Sequence, residues 1–259
     1  MSGMEPSVEK PALSRVYNGA VGGASTTAID RGLLQRVFEL MPGYRYFAMA
    51  NLAFARQAVA DFVDAGVTQV LDLGCGMLTP QSSHLVAQAK DPGARVVYVD
   101  IDPVTVEHVR AGIEGTRHVG VFQADVSAVD EVLDHPVTRA VLDLDRPVGV
   151  LAAAVLHCLP DDAAVPPAEV LRRYHARLAS GSRVAATHAS GDTLDPSVVA
   201  EAVGLFRQAG ITVLSRTADE FRALFGPWRL REPGLRPLRW TVESGDEIDA
   251  LAYSAVAEK

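Results

Sequence analysis

Short apolar stretches alternate with amphipathic ones along most of the chain. "TQVLDLG" (68–74), "ARVVYVD" (94–100), "HVGVFQAD" (118–125), "VGVLAAAVLH" (148–157) and "RVAATHAS" (183–190) predict five strands. Their apolar residues fall on both sets of alternating positions, as in strands covered on two faces. Between them, "SSHLVAQAK" (82–90), "PVTVEHVRAGI" (103–113), "VDEVLDHPVTRAVL" (129–142) and "PAEVLRRYHARLA" (167–179) space apolar residues three or four apart and predict helices. Gly181 stops the last of these. Two further helices are expected over 197–210 and 217–226. "WRLREPGL" (228–235) and "DALAYSAVAEK" (249–259) predict an antiparallel edge hairpin, with "PLRWTVESGDEI" (237–248) as its loop. Strands alternating with helices imply an α/β fold with a mostly parallel sheet.

The first part of the chain has a different texture. Residues 1–14 are polar and proline-containing and read as a flexible tail. Residues 15–66 read as a helical section, with helices from about Arg31 to Met41 and over "YFAMANLAFARQAVADFVDAG" (46–66). Residues 67–259 hold the sheet.

Composition narrows the function classes. The chain has 259 residues, 48% of them hydrophobic, enough for one α/β domain with an appendage. Its net charge of −8 suits neither a nucleic-acid backbone nor an anionic membrane surface. No apolar run is long enough for a membrane span, and the amino terminus lacks a signal-peptide core. Cys75 and Cys158 stand far apart without metal-ligand spacing, so a cytoplasmic protein with reduced thiols and no metal is expected.

Candidate chemistry gathers at strand ends, where ligands bind in such sheets. Gly74 and Gly76, in "VLDLGCGMLTP", allow a tight turn and close backbone approach. The following helix would turn its positive end to the same place. Asp72 is either a plain turn residue or an acceptor for an amine. Asp100, beside Ile101, closes the second strand, where an acid can take two hydrogen bonds from a vicinal diol. Asp102 is expected to cap the next helix. Asp125, beside Val126, follows the third strand and either accepts an exocyclic amine or caps a helix. His157 after the fourth strand is a candidate base, with His188 weaker and His84 structural. The glycine turn, diol acid and amine acid on successive strands describe an adenosine without phosphates. A dinucleotide would need a longer glycine loop, so S-adenosylmethionine fits better.

The order "VLDLGCG", "VVYVDIDPVTVEHVR", "FQADVSAVDEVLDHPVTRAVLDLDRPVGVLAAAVLHCLPDD" and the late "REPGL" (231–235) resembles the actinobacterial S-adenosylmethionine-dependent methyltransferases of the DUF574, or methyltransferase-19, family. The resemblance runs from about Arg15 to the carboxyl end. It implies a Rossmann-like class I methyltransferase fold, with a seven-stranded sheet, an antiparallel last strand and residues 15–66 as a helical cover over the cofactor. It adds Tyr17 and Asn51 to the cofactor-binding candidates. Where relatives read YDYLLGGKDNFAAD, this chain has "YNGAVGGASTTAID", with Ala24, Ser25, Thr26 and Thr27 at positions otherwise lysine, aspartate, asparagine and aromatic. The expected function is methyl transfer to a small-molecule acceptor, with secondary metabolism as the expected setting. The altered segment leaves two alternatives open: cleavage of another cofactor bond, as in aminocarboxypropyl transfer or cyclisation, and a non-catalytic cofactor-binding module. Oligomeric state is not legible.

Overall fold

The computed structural model describes residues 10–242 and 244–259; residues 1–9 of the expected tail lie outside them. Three helices come first: α1 Leu13–Ala20, α2 Ala28–Leu40 and α3 Tyr44–Asp64. The alternating part follows as β1 Gln69–Leu73, α4 Ser83–Lys90, β2 Arg95–Asp100, α5 Pro103–Gly112, β3 Val119–Gln123, α6 Val129–Asp134, α7 Pro136–Val141 and β4 Gly149–Ala152. After a single 3-10 turn at Leu156–Cys158 come α8 Pro167–Arg177, β5 Arg183–Ala189, α9 Pro196–Gln208, α10 Ala218–Leu224, β6 Arg229–Leu230, β7 Arg236–Thr241 and β8 Glu247–Glu258.

The sheet has eight strands in the order β3-β2-β1-β4-β5-β8-β6, with β7 also paired to β8. β1 to β5 are mutually parallel, and β8 runs antiparallel to β5, β6 and β7. Strand order reverses between β1, which continues to β2, and β4, which continues to β5. The crevice beyond their carboxyl ends is the switch point at which open α/β sheets bind ligands.

Alternation along the strands builds two cores. Leu71, Val97, Val150 and Val184 face one way and pack with Val132, Leu171, Tyr174 and Phe221 of α6, α8 and α10. Val70, Val96, Leu151 and Ala185 face the other and pack with Val59, Phe62, Ala87 and Val109 of α3, α4 and α5. A third cluster joins Val16, Val37, Phe47 and Phe206, tying α1–α3 to α9.

Three expectations change. Leu13 and Ser14, assigned to the tail, begin α1, whose face of Val16 and Ala20 is buried against α2 and α3. Pro136 divides the expected helix over 129–142 into α6 and α7, because it cannot donate to the preceding turn. Most of the expected loop over 237–248 is strand: Arg236–Thr241 pairs with β8, adding one strand to the seven expected.

Candidate active site

The turn after β1 is built on two left-handed glycines, Gly74 at φ +66° and Gly76 at φ +64°. The Gly74 and Cys75 amides both donate to Val99 O, at 2.8 and 3.2 Å, which folds the turn back over β2. A Cβ on Gly74 would lie 2.5 Å from Val155 Cγ2, so the loop after β4 seats directly on it. A Cβ on Gly76 would meet nothing within 4 Å; this glycine borders open space. The helix does not follow at once, since α4 starts at Ser83, yet Ser82 and Ser83 border the same space.

Two buried acids stand beside the turn. Asp72 accepts Ser83 Oγ at 2.5 Å. Burial, opposed by that hydrogen bond and reinforced by the Asp100 charge, raises its pKa to about 7. Asp100 accepts the Gly76 amide on Oδ2 at 2.9 Å and the Asp102 amide on Oδ1 at 3.0 Å. Burial raises its pKa despite these backbone donors. Each oxygen keeps a further lone pair, so the geometry offers a rigid two-point acceptor. Ile101 is 64% exposed next to it, an apolar surface at the cavity rim. Asp102 caps α5 by accepting the Val104 amide, as expected.

Asp125 lies two residues beyond β3. Its Oδ1 accepts the Ser127 amide and hydroxyl at 2.8 and 2.7 Å, an Asx turn. It caps no helix, since α6 has Ala128 at its N-cap. Val126 is buried, and its carbonyl accepts the Tyr174 hydroxyl at 3.0 Å.

Tyr17 and Asn51 belong to a chain of hydrogen bonds. The Tyr17 hydroxyl donates to Ala48 O at 2.8 Å and accepts from Asn51 Nδ2 at 2.8 Å. Asn51 Oδ1 accepts from the Thr187 hydroxyl, which in turn accepts the Ala154 amide at 2.8 Å. Ala154 has φ +55°, a costly conformation for a residue with a Cβ. The helical section is thus tied through α1 and α3 to the ends of β4 and β5. Ala24 to Thr27 do not line the cavity: Thr27 caps α2 reciprocally with Asp30, and the Ser25 amide donates to Asn18.

His157 sits in the 3-10 turn, buried, with Nδ1 lacking any hydrogen-bond partner among the described residues. Burial, with His188 and Arg216 nearby, pushes its pKa down to about 3. The ring is therefore neutral at ordinary pH and weakly basic in this packing, with a nitrogen free to accept a hydrogen bond. His84 is structural, its Nδ1 2.7 Å from the Tyr98 hydroxyl. His188 does not line the cavity. Arg216 donates to its Nε2 at 2.6 Å, which leaves the Nδ1 proton for Ala189 O. Arg216 also donates to Leu156 O and Leu159 O and pairs with Asp161, pinning the loop after β4. A single arginine between an apolar run and a helix cap carries no sequence signal of that role.

One cavity of about 780 Å³ is lined by Tyr17, Asn51, Asp72, Gly74, Gly76, Asp100, Ile101, Asp125, Val126 and His157 together. All the cofactor-binding candidates and His157 therefore meet in one place, and His188 does not join them. Its charged lining is acidic, from Asp72, Asp100, Asp102 and Asp125; among the described residues no lysine or arginine borders it. That suits a cationic nucleoside and gives no counter-charge to a diphosphate. The candidates expected least, Tyr17 and Asn51, spend their polar atoms on each other and on the fold.

Comparisons with known proteins agree with this arrangement. The family model described as S-adenosyl methyltransferase, Methyltransf_19, matches residues 4–259. A solved structure from Thermobifida fusca YX, provisionally described as a methyltransferase, is 32% identical, with a TM-score of 0.88 over 97% of this chain and 96% of that one. A DUF574 family protein from Streptomyces avermitilis MA-4680 is 28% identical, with a TM-score of 0.90 over 98% of this chain and all (100%) of the other. A Burkholderia thailandensis 1,6-didemethyltoxoflavin-N1-methyltransferase shares the fold at 20% identity and a TM-score of 0.50, over 80% and 78% of the two chains. No curated protein matches in sequence. The chain belongs to the S-adenosyl methyltransferase family Methyltransf_19, and so to the S-adenosylmethionine-dependent methyltransferases of class I fold.

Proposed function

We propose that this methyltransferase acts on a small-molecule acceptor, in the secondary metabolism of an actinobacterium and in its cytoplasm. The observation that carries the acceptor class is the cavity, whose lining by α1 and α3 as well as the strand ends and whose volume of about 780 Å³ suit a cofactor with a small acceptor beside it. The net charge of −8 argues in the same direction against nucleic acid or a membrane as partner. The sources of the two similar structures, Thermobifida and Streptomyces, support the origin. Two unpaired thiols, Cys75 and Cys158, support the compartment.

The residues present fit the cofactor. Asp100 would hold the ribose diol, the backbone at Gly74 and Gly76 the methionine end, with Asp72 taking its ammonium. Asp125 would accept the adenine amine, with Ile101 and Val126 against the ring. When bound, the cofactor supplies an electrophilic methyl carbon on a sulfonium. The chain's own task is then to orient an acceptor and keep water out. Holding two reactants in attack geometry contributes on the order of 7–11 kcal/mol. The hydrogen-bonded tie from Tyr17 to Ala154 fixes the roof over that reaction space. The neutral His157 ring serves as wall and hydrogen-bond partner. The alternative of cleaving another cofactor bond loses its motive, because Ala24 to Thr27 lie away from the cavity.

Calorimetry with S-adenosylhomocysteine tests the assignment. Asp100→Ala should weaken binding at least about tenfold, the loss of one charge-assisted hydrogen bond. Unchanged affinity would remove Asp100 from the site.

A further inference from the structure

A second, smaller space of about 80 Å³ lies behind the main cavity, and Leu13, Tyr44, Phe47 and His157 line both. Its far wall comes mainly from α9 and the segments flanking it, including Leu194, Val199, Ala202, Val203, Phe206 and Val213. Among the described residues none with a charged side chain lines it. Its apolar walls gain dispersion contacts when a group of matching size covers them. An engineered apolar cavity of about 150 Å³ accepts benzene, so a chamber of roughly half that volume suits a short branched alkyl group. The shared wall also carries the unpartnered His157 Nδ1. A buried polar atom without a partner calls for one.

We propose that the methyl acceptor inserts a small, uncharged apolar end into this chamber past Tyr44 and Phe47, placing a hydrogen-bonding group at His157. Two observations carry this: the uncharged lining of the chamber, and the residues it shares with the main cavity, His157 among them. A carboxylate or phosphate at that end would lose its water against a lining that holds no charged side chain among the described residues. A turn of the His157 ring gives its free nitrogen to the acceptor's polar group. This inference rests on the small-molecule reading above.

The test uses full-length protein saturated with S-adenosylhomocysteine and two probes of similar size, 4-isopropylphenol and 4-hydroxybenzoate, followed by calorimetry and ligand-observed NMR. The isopropyl compound should bind at least about tenfold more tightly than the carboxylate. Ala202→Leu and Val203→Phe fill the chamber from α9 without lining the main cavity. Each should weaken 4-isopropylphenol binding about tenfold while leaving S-adenosylhomocysteine affinity unchanged. Equal affinity for the two probes, undetectable binding of the isopropyl compound at about 10 mM, or indifference to both variants overturns the proposal. A variant that loses S-adenosylhomocysteine binding has lost the fold, and the probe comparison in the unaltered protein then decides. Failure of that protein to bind S-adenosylhomocysteine counts against the cofactor assignment instead.

Discussion

Asp72 pays a cost in the empty fold that a ligand can relieve. It is buried, its hydrogen bond comes from the neutral Ser83 hydroxyl, and its pKa stands at about 7 against an ordinary value of 3.8. Between about pH 4 and 7 the folded chain holds a proton that the unfolded chain has released. Stability therefore falls as pH rises through that window and levels off above it, by at most about 4 kcal/mol from this group. Asp72→Asn should flatten this part of the slope in urea unfolding measured from pH 4 to 8. A ligand ammonium beside Asp72 stabilises the carboxylate and expels the proton. S-adenosylhomocysteine binding at pH 6 should release protons, read from calorimetry in buffers of different ionisation enthalpy, and Asp72→Asn should abolish that release. The neighbouring glycines separate two effects. Gly74→Ala drives a methyl into Val155 at 2.5 Å from an already left-handed backbone, and should destabilise the fold by about 2–3 kcal/mol. Gly76→Ala has the strain without the clash, costing about 1–2 kcal/mol, and should chiefly weaken cofactor binding, since its methyl enters open space. Thermal unfolding and calorimetry on both variants distinguish the two.

Elements that announce themselves locally were legible, and those made by distant contacts were not. Strands β1 to β5 show in the sequence because burial on both faces demands unbroken apolar runs, and Asp72, Asp100 and Asp125 follow from where those runs end. α1 did not show, because its eight residues are too few for a clear period and its sequence includes Asn18 and Gly19. β7 did not show, because Arg236 and Pro237 leave only Leu238 and Trp240 to carry the alternation, and its pairing to β8 also shifts register between Pro237 and Arg239. Phe47 reads as part of a helix and Tyr44 as the segment before it, and only α9 packing beside them makes them a chamber wall. The helical section also depends on a hidden ion pair. Arg15 on α1 is buried and donates to Asp30 on α2 at 2.8 Å, and Asp30 also closes the cap with Thr27. Burial raises the Asp30 pKa, but the Arg15 and Thr27 hydrogen bonds outweigh it and hold the carboxylate low. Thr27→Ala should cost about 1 kcal/mol, one lost cap. Asp30→Ala leaves a buried guanidinium with Lys10 O at 2.8 Å and a distant carboxylate, Asp102 at 3.6 Å, and should cost about 3 kcal/mol or more. Urea unfolding gives both values, and hydrogen exchange should show α1 loosened far more by the second.

At the scale of the whole molecule, the sheet's switch point and the sign of its lining charge together select the ligand. An α/β sheet of this order offers the same crevice to dinucleotides and to cationic nucleosides. The crevice here is bordered by four aspartates, with no lysine or arginine among the described residues. A diphosphate placed there would meet negative charge in a partly desolvated space, where like charges repel strongly. Ligand binding stabilises the folded state according to its affinity, by about 2.7 kcal/mol at a concentration of 100 times Kd. For a chain of this length each kcal/mol raises Tm by roughly 2–4 °C. S-adenosylhomocysteine at that concentration should therefore raise Tm by about 5–10 °C, and NAD at the same concentration by nothing measurable. The shift should shrink in Asp100→Ala, because the variant binds less at a fixed concentration. A larger shift with NAD than with S-adenosylhomocysteine would mean that charge does not govern the choice of ligand at this crevice, and the cofactor assignment built on that charge would fall.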